Sequence, residues 1–155
     1  MWRRGIDIGL GTDGAAAWGS LDIFQVAHIA RVGQQAVAGT PWHIRNPLTA
    51  EQLLRIATIG GARALGMEKE IGTLEVGKRA DLLLCDCTEI DQAPAHDPLF
   101  VAANMIVGRD VRTAVIDGKV VMKEREILTV HVEAMRAKLK ERLPAIMERF
   151  ERAIA

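Results

Sequence analysis

Ile6-Asp7-Ile8-Gly9-Leu10 runs straight into Gly11-Thr12-Asp13-Gly14, and no other stretch constrains the chain as much. A short apolar run that stops at a glycine-flanked acid predicts a strand presenting one carboxylate at its C-terminal end. Barrels and open α/β sheets place their chemistry at that end. The acid stands only 13 residues from the start, so companion groups from earlier strands are expected to lie outside this sequence.

The rest of the composition excludes more than it selects. A length of 155 residues fits one domain, and 49% hydrophobic with 26% charged residues fits a globular protein. Lys plus Arg and Asp plus Glu both number 20, and this zero net charge gives no support for a nucleic-acid partner. No apolar run approaches the ~20 residues of a membrane span. Met1-Trp2-Arg3-Arg4 is basic, but no apolar stretch of signal-peptide length follows it. The two cysteines, Cys85 and Cys87, share one face of a strand, which is poor geometry for a mutual disulfide. They read as half-buried core thiols, and a zinc ribbon would need a second pair. The cytoplasm is the natural compartment for such thiols.

Along the chain, Ser20 is placed to N-cap a helix over residues 21–37, with Leu21, Phe24, Ala27 and Ile29 on its buried face. Gly39-Thr40-Pro41 closes it, and Asn46-Pro47 marks a turn. Thr49 opens a second helix whose core side is Leu53, Leu54, Ile56, Ala57 and Ile59. Gly60-Gly61 interrupts that helix at some cost and permits close backbone approach to a neighbour, and Gly66 ends it. Residues 71–74 read as short and extended, and 81–86 as a strand too apolar for one-sided burial. Asp97-Pro98 opens a short helix over 99–105. Residues 112–116 and 119–122 flank Asp117-Gly118, a type I′ hairpin signal, and Ile127-Leu128 adds a last short strand. Residues 131–155 form an amphipathic helix with Val132, Met135, Leu139, Leu143, Phe150 and Ile154 in one stripe and Pro144 as a kink. Its stripe suits packing or a subunit interface. The order strand-helix-helix, then short strands, suggests the tail of an α/β domain followed by a small β unit.

Four blocks resemble the metal-dependent amidohydrolases, in particular their nucleoside and base deaminase and triazine hydrolase branch. They are Gly11-Thr12-Asp13-Gly14 with Ser20-Leu21-Asp22-Ile23-Phe24, Ala57 to Gly66, Ile71 to Leu82, and Val115 to Val121. They occur in that family's order and cover most of the chain. The resemblance implies an α/β fold: the tail of a (β/α)8 barrel (last strand and following helices) over 1–67, part of a composite β-sandwich over 68–130, and a C-terminal helix over 131–155. It also implies that seven barrel strands would already have passed before residue 6. Met1 is then either an internal methionine of a longer enzyme or the start of a fragment gene.

By the same resemblance, Asp13 has two roles in the parent enzyme. It ligates a divalent metal, zinc first and iron as the alternative, and it passes a proton from water to the departing ammonia or amine. The family's histidine ligands do not precede Asp13, so this chain alone is expected to hold no metal and to be inactive. The family's polar Ser-Asn pair is replaced here by Ala15-Ala16-Ala17-Trp18-Gly19, which leaves the substrate contacts unassigned. Trp18 is the candidate aromatic facing the substrate, with core or interface packing as the alternative. Asp22 reads as an early-helix acid or a contact behind the site, and Lys78-Arg79 as a solvated turn. His28, His43, His96 and His131 are too scattered for a metal cage. The implied function is a fragment of a C–N-hydrolysing enzyme acting on a nucleoside, nucleobase or triazine-like heterocycle. The alternative is a non-catalytic oligomerising or complementing module. Unpaired sheet edges in either case favour a homo-oligomer or a need for the missing amino-terminal portion.

Overall fold

The computed structural model describes residues 4–38 and 48–154. The expected turns at residues 39–41 and 46–47 lie outside the described residues, as does His43. The order of elements is helical first and sheet-bearing second. Helices α1 (Ala15–Trp18), α2 (Ile23–Ala38), α3 (Ala50–Arg55) and α4 (Gly61–Ala64) come before strand β1 (Leu82–Cys85). Helix α5 (Pro98–Asn104), strands β2 (Val111–Ile116), β3 (Lys119–Lys123) and β4 (Glu126–Ile127), and helix α6 (Val132–Ile154) follow.

Local chemistry explains most of these boundaries. Thr49 and Gln52 form a capping box: Thr49 Oγ1 accepts from the Gln52 N–H at 3.2 Å, and Gln52 Oε1 accepts from the Thr49 N–H at 3.0 Å. Between α3 and α4 the chain continues as a π-turn over Ile56–Gly60. Gly66 ends the run at φ +69°, where the Gly66 N–H reaches Arg63 O at 3.0 Å and the Met67 N–H reaches Ala62 O at 2.8 Å. That bond pair is a Schellman closure, which requires the left-handed residue. Asp97 caps α5, its Oδ1 accepting from the N–H groups of Leu99 and Phe100 at 3.0 and 3.1 Å.

The sheet is antiparallel and four-stranded, in the order β1-β2-β3-β4. Asp117 (φ 51°) and Gly118 (φ 73°) both sit in the left-handed region, as the type I′ reading required. The tip is tied back to the segment before β1: the Asp117 N–H donates to Asp81 Oδ1 at 2.7 Å, and the Gly118 N–H to Ala80 O at 3.0 Å. A second tight turn, Glu124 (φ 47°) and Arg125 (φ 68°), joins β3 to β4 with residues that carry no turn signature.

Several expectations are overturned. Residues 6–10 are not a strand of any sheet among the described residues. A strand exists only as one member of a ladder, and no described strand flanks this segment. Residues 71–73 form bends, not the extended run expected over 71–74. The capping of α2 moves from Ser20 to Asp22, whose Oδ1 accepts from the Phe24 N–H at 2.9 Å, while Ser20 Oγ accepts from the Asp22 N–H at 3.1 Å. On α2, Ala27 is buried but Ile29 is exposed, because it lies about 200° round the helix from Ala27. Leu21 precedes the helix and is also exposed. Leu83 (49% exposed) and Leu84 (56%) point to opposite faces of β1 and are both exposed, so the strand is not buried on two sides. Cys85 is half-buried, but Cys87 lies past the strand end and is exposed. Burial raises the Cys85 thiol above its ordinary pKa, with smaller contributions from Cys87 and Asp110.

The core is small. Ala27, Leu53 and Ala103 bring α2, α3 and α5 together, with Leu10, Leu48, Ala50 and Leu54 packed around them. Leu53 is fully buried. Arg31 of α2 donates through Nη1 to Asn104 Oδ1 of α5 across this contact.

Candidate functional site

Asp13 stands at the end of the arm formed by residues 6–12. Its backbone is left-handed at φ 53°, uncommon for a residue with a Cβ. Its Oδ1 accepts from the N–H of the next residue, Gly14, at 2.7 Å, a local contact that orients the carboxyl group. Oδ2 has no hydrogen-bond partner among the described residues, and the side chain is exposed. Gly14 then N-caps the short helix α1.

The arm is placed by packing. Leu10 is set against the Ala27–Leu53–Ala103 cluster. Gly9 lies on Gly61 so closely that an added Cβ would meet Gly61 Cα at 2.9 Å. Gly60 serves the close approach that the sequence suggested, since a Cβ on it would meet Ile8 O at 2.6 Å, whereas Gly61 has room for one. Asp22 does more than favour a helix dipole. Its Oδ2 also accepts from the Gly108 N–H at 2.7 Å, joining the start of α2 to the turn at Gly108–Asp110.

The remaining candidates disperse. Trp18 closes α1, but its side chain lies outside the described residues. His28 is exposed on α2. His96 Nδ1 contacts Pro94 O at 2.9 Å, and His131 Nδ1 accepts from the Ala134 N–H at 3.2 Å as a cap of α6. Among the described residues no three His, Cys, Asp or Glu side chains gather into a metal site. An exposed carboxylate with one free oxygen nonetheless fits as a single hard donor beside imidazoles brought from elsewhere.

Lys78 is not a solvated turn residue. Its side chain is only 12% exposed, and Nζ donates to Thr73 Oγ1 at 2.6 Å beside Glu75 at 3.6 Å. The Thr73 hydroxyl, followed by Lys78, holds the Glu75 carboxyl below its ordinary pKa.

Sequence reasoning also missed a buried polar pair. Gln92 is 2% exposed, and its Nε2 donates to Asp110 Oδ2 at 3.1 Å; that oxygen also takes the Val107 N–H at 2.9 Å. Gln92 Oε1 has no hydrogen-bond partner among the described residues. A cleft of about 500 Å³ reaches Asp110 of this pair, lined by Glu89, Ile90, Asp91, Arg109, Asp110 and Arg125. Asp13 is not among its lining residues. Neither Gln92 nor Asp110 sits in a pattern that distinguishes a buried polar residue from a loop one.

The amidohydrolase family profile matches residues 1–121. The chain belongs to the amidohydrolase family. It is 39% identical over 142 residues to the 5-methylthioadenosine/S-adenosylhomocysteine deaminase of Caldanaerobacter subterraneus subsp. tengcongensis, a match covering 92% of this chain and 32% of that protein. Among solved structures it is similar to an adenosine deaminase from Xanthomonas campestris with bound zinc, at TM-score 0.85 and 34% identity over 95% of this chain and 33% of that one. It is also similar to the atrazine chlorohydrolase of Arthrobacter aurescens complexed with zinc, at TM-score 0.79 and 25% identity over 90% of this chain and 30% of that one. This amidohydrolase chain thus spans about a third of the length of the relatives it matches. Its mixed α/β content with a small antiparallel sheet is the amidohydrolase fold as this portion presents it.

Proposed function

We propose that this chain is the Asp13-bearing, carboxyl-terminal part of a metal-dependent amidohydrolase that hydrolyses a C–N bond of a nucleoside, nucleobase or triazine-like heterocycle. Alone, it is inactive. The observation that carries this reading is the match to deaminases over 92% of this chain and only 32% of theirs, within which Asp13 is exposed with one carboxylate oxygen free. In this reading residues 1–67 end a barrel, 68–130 contribute to a sandwich, and 131–155 are a terminal helix. The cytoplasm suits its unpaired thiols.

Asp13 would be the carboxylate donor to a metal, its Oδ2 without a hydrogen bond among the described residues and its Oδ1 oriented by the Gly14 N–H. A divalent ion held there, zinc or iron, supplies Lewis acidity and lowers the pKa of water toward ~7. The Asp13 carboxylate takes the proton of the attacking water and delivers it to the departing ammonia or amine. In this reading Trp18, within α1, is the candidate aromatic for the heterocyclic ring.

The test is Asp13→Asn in the intact parent enzyme. Turnover should fall by about 10²–10⁴-fold, whereas near-wild-type turnover removes Asp13 from the chemistry. If the purified 155-residue chain binds stoichiometric metal and deaminates adenosine-type or triazine substrates, its dependence on further segments is wrong.

One observation favours the second reading, a non-catalytic oligomerising or complementing module. Helix α6 has no buried residue, and Met135, Leu139, Leu143, Phe150 and Ile154 are all exposed. A homo-oligomer would cover them. Sedimentation across a concentration series, with metal absent, decides between the two.

A further inference from the structure

The arm carrying Asp13 is seated by two kinds of contact. Leu10 enters the α2, α3 and α5 cluster. Just before it, backbone rests on backbone. A Cβ added to Gly9 would stand 2.9 Å from Gly61 Cα, and one added to Gly60 would stand 2.6 Å from Ile8 O and 3.0 Å from Arg55 O. Those distances exclude any side chain, so the arm and the helix meet as closely as glycine allows. The helix is π-wound at that point, over Ile56–Gly60, and Thr58 Oγ1 closes on Leu54 O at 2.7 Å within the wide turn. Turns of this kind recur at functional sites. No strand of the four-stranded sheet pairs with residues 6–10. Among the described contacts, the glycine seat and Leu10 fix the depth of the arm, a few residues before Asp13.

We propose that Gly9 and Gly60 are positioning residues for Asp13, and that the π-turn sets the height at which its carboxylate is presented. This rests on the catalytic reading of Asp13 above. A side chain at either glycine lifts the arm and moves Oδ2 away from its working position. Displacements of about 1 Å at a reacting group cost on the order of 10²-fold in rate.

Gly61 provides the matched control. A Cβ there would meet Ile56 O at 3.7 Å and Gly9 Cα at 3.8 Å, which is ordinary contact. In the intact parent enzyme, Gly9→Ala should lower kcat roughly 10- to 100-fold with KM nearly unchanged. It should also displace the acidic limb of the kcat–pH profile and reduce divalent metal bound per folded chain. Gly61→Ala should leave all three near wild type. If Gly9→Ala does not fold, Thr58→Val removes one hydroxyl at an exposed position and is expected to lower kcat about 3-fold with the same displacement of the limb. The proposal is overturned if the folded variant keeps wild-type kcat, pH limb and metal content, or loses only melting temperature. Asp13→Asn measured alongside separates the two ideas. If that variant keeps turnover, the catalytic reading falls and takes this proposal with it. If it is inactive while Gly9→Ala behaves as Gly61→Ala, the positioning role alone falls.

Discussion

Helices α3 and α6 stand at opposite ends of what a helix can contribute to a fold. Helix α3 has six residues and places Leu53 at 0% exposure, between α2 and α5. Helix α6 has 23 residues, a clear apolar stripe and no buried residue. Apolar periodicity reports which face wants cover. It does not report whether the same chain supplies that cover. The short helix is held by packing, whereas the long one stands on its own backbone bonds and local pairs such as Glu148–Arg152 at 2.9 Å.

The contrast can be broken by matched truncations. Leu53→Ala should destabilise the chain by about 2–5 kcal/mol in denaturant unfolding, since it removes the most buried aliphatic side chain of the cluster. Leu139→Ala on α6 should change monomer stability by no more than ~0.5 kcal/mol. It should instead weaken concentration-dependent association in sedimentation. Equal losses for the two would mean that α6 is packed in solution after all.

The sheet offers a sharper version, because its hairpin depends on backbone conformation rather than cover. Gly118→Ala forces a Cβ into φ 73° and should cost roughly 1–2 kcal/mol. Gly33→Ala, inside α2 with open space around it, should be neutral or slightly stabilising. The smallest effect is expected at Asp86. Its pKa lies below the ordinary 3.8, held there by the hydroxyl and N–H of Thr88 and by Arg112 and Arg125. A depressed folded-state value means that the stabilisation is complete above the ordinary value and disappears as pH falls through the folded one. Asp86→Asn should therefore lower the melting temperature slightly at pH 7, and the difference should shrink as the pH falls below the ordinary carboxylate value.

The parts legible in the sequence are those whose signals act within a few residues. The Thr49 cap, the Gly66 stop, the Asp97 cap, the Asp117-Gly118 turn and the family blocks around Asp13 are all of this kind. What was misread needed distant partners. Residues 6–10 look like a strand, yet no described strand pairs with them. Lys78 looks like a surface turn residue until Thr73 and Glu75 close on it. Asp22 reads as a dipole acid, and nothing local announces its bond to Gly108, 86 residues away. Gln92 and Asp110 carried no signal, because a polar residue in a loop is exposed far more often than buried.

By resemblance the sequence pointed to the amidohydrolases, and by local chemistry it determined the Thr49 and Asp97 caps, the Gly66 stop and the Asp117-Gly118 turn between β2 and β3. Those local features follow from the conformational preferences and hydrogen bonds of neighbouring residues. The tertiary structure alone decided that the Asp13 arm rests on the Gly60-Gly61 turn, that Asp22 joins two segments, and that the stripe of α6 lies open. Those outcomes depend on which surfaces meet in space, and a linear pattern of side chains does not encode contact between groups that only folding brings together.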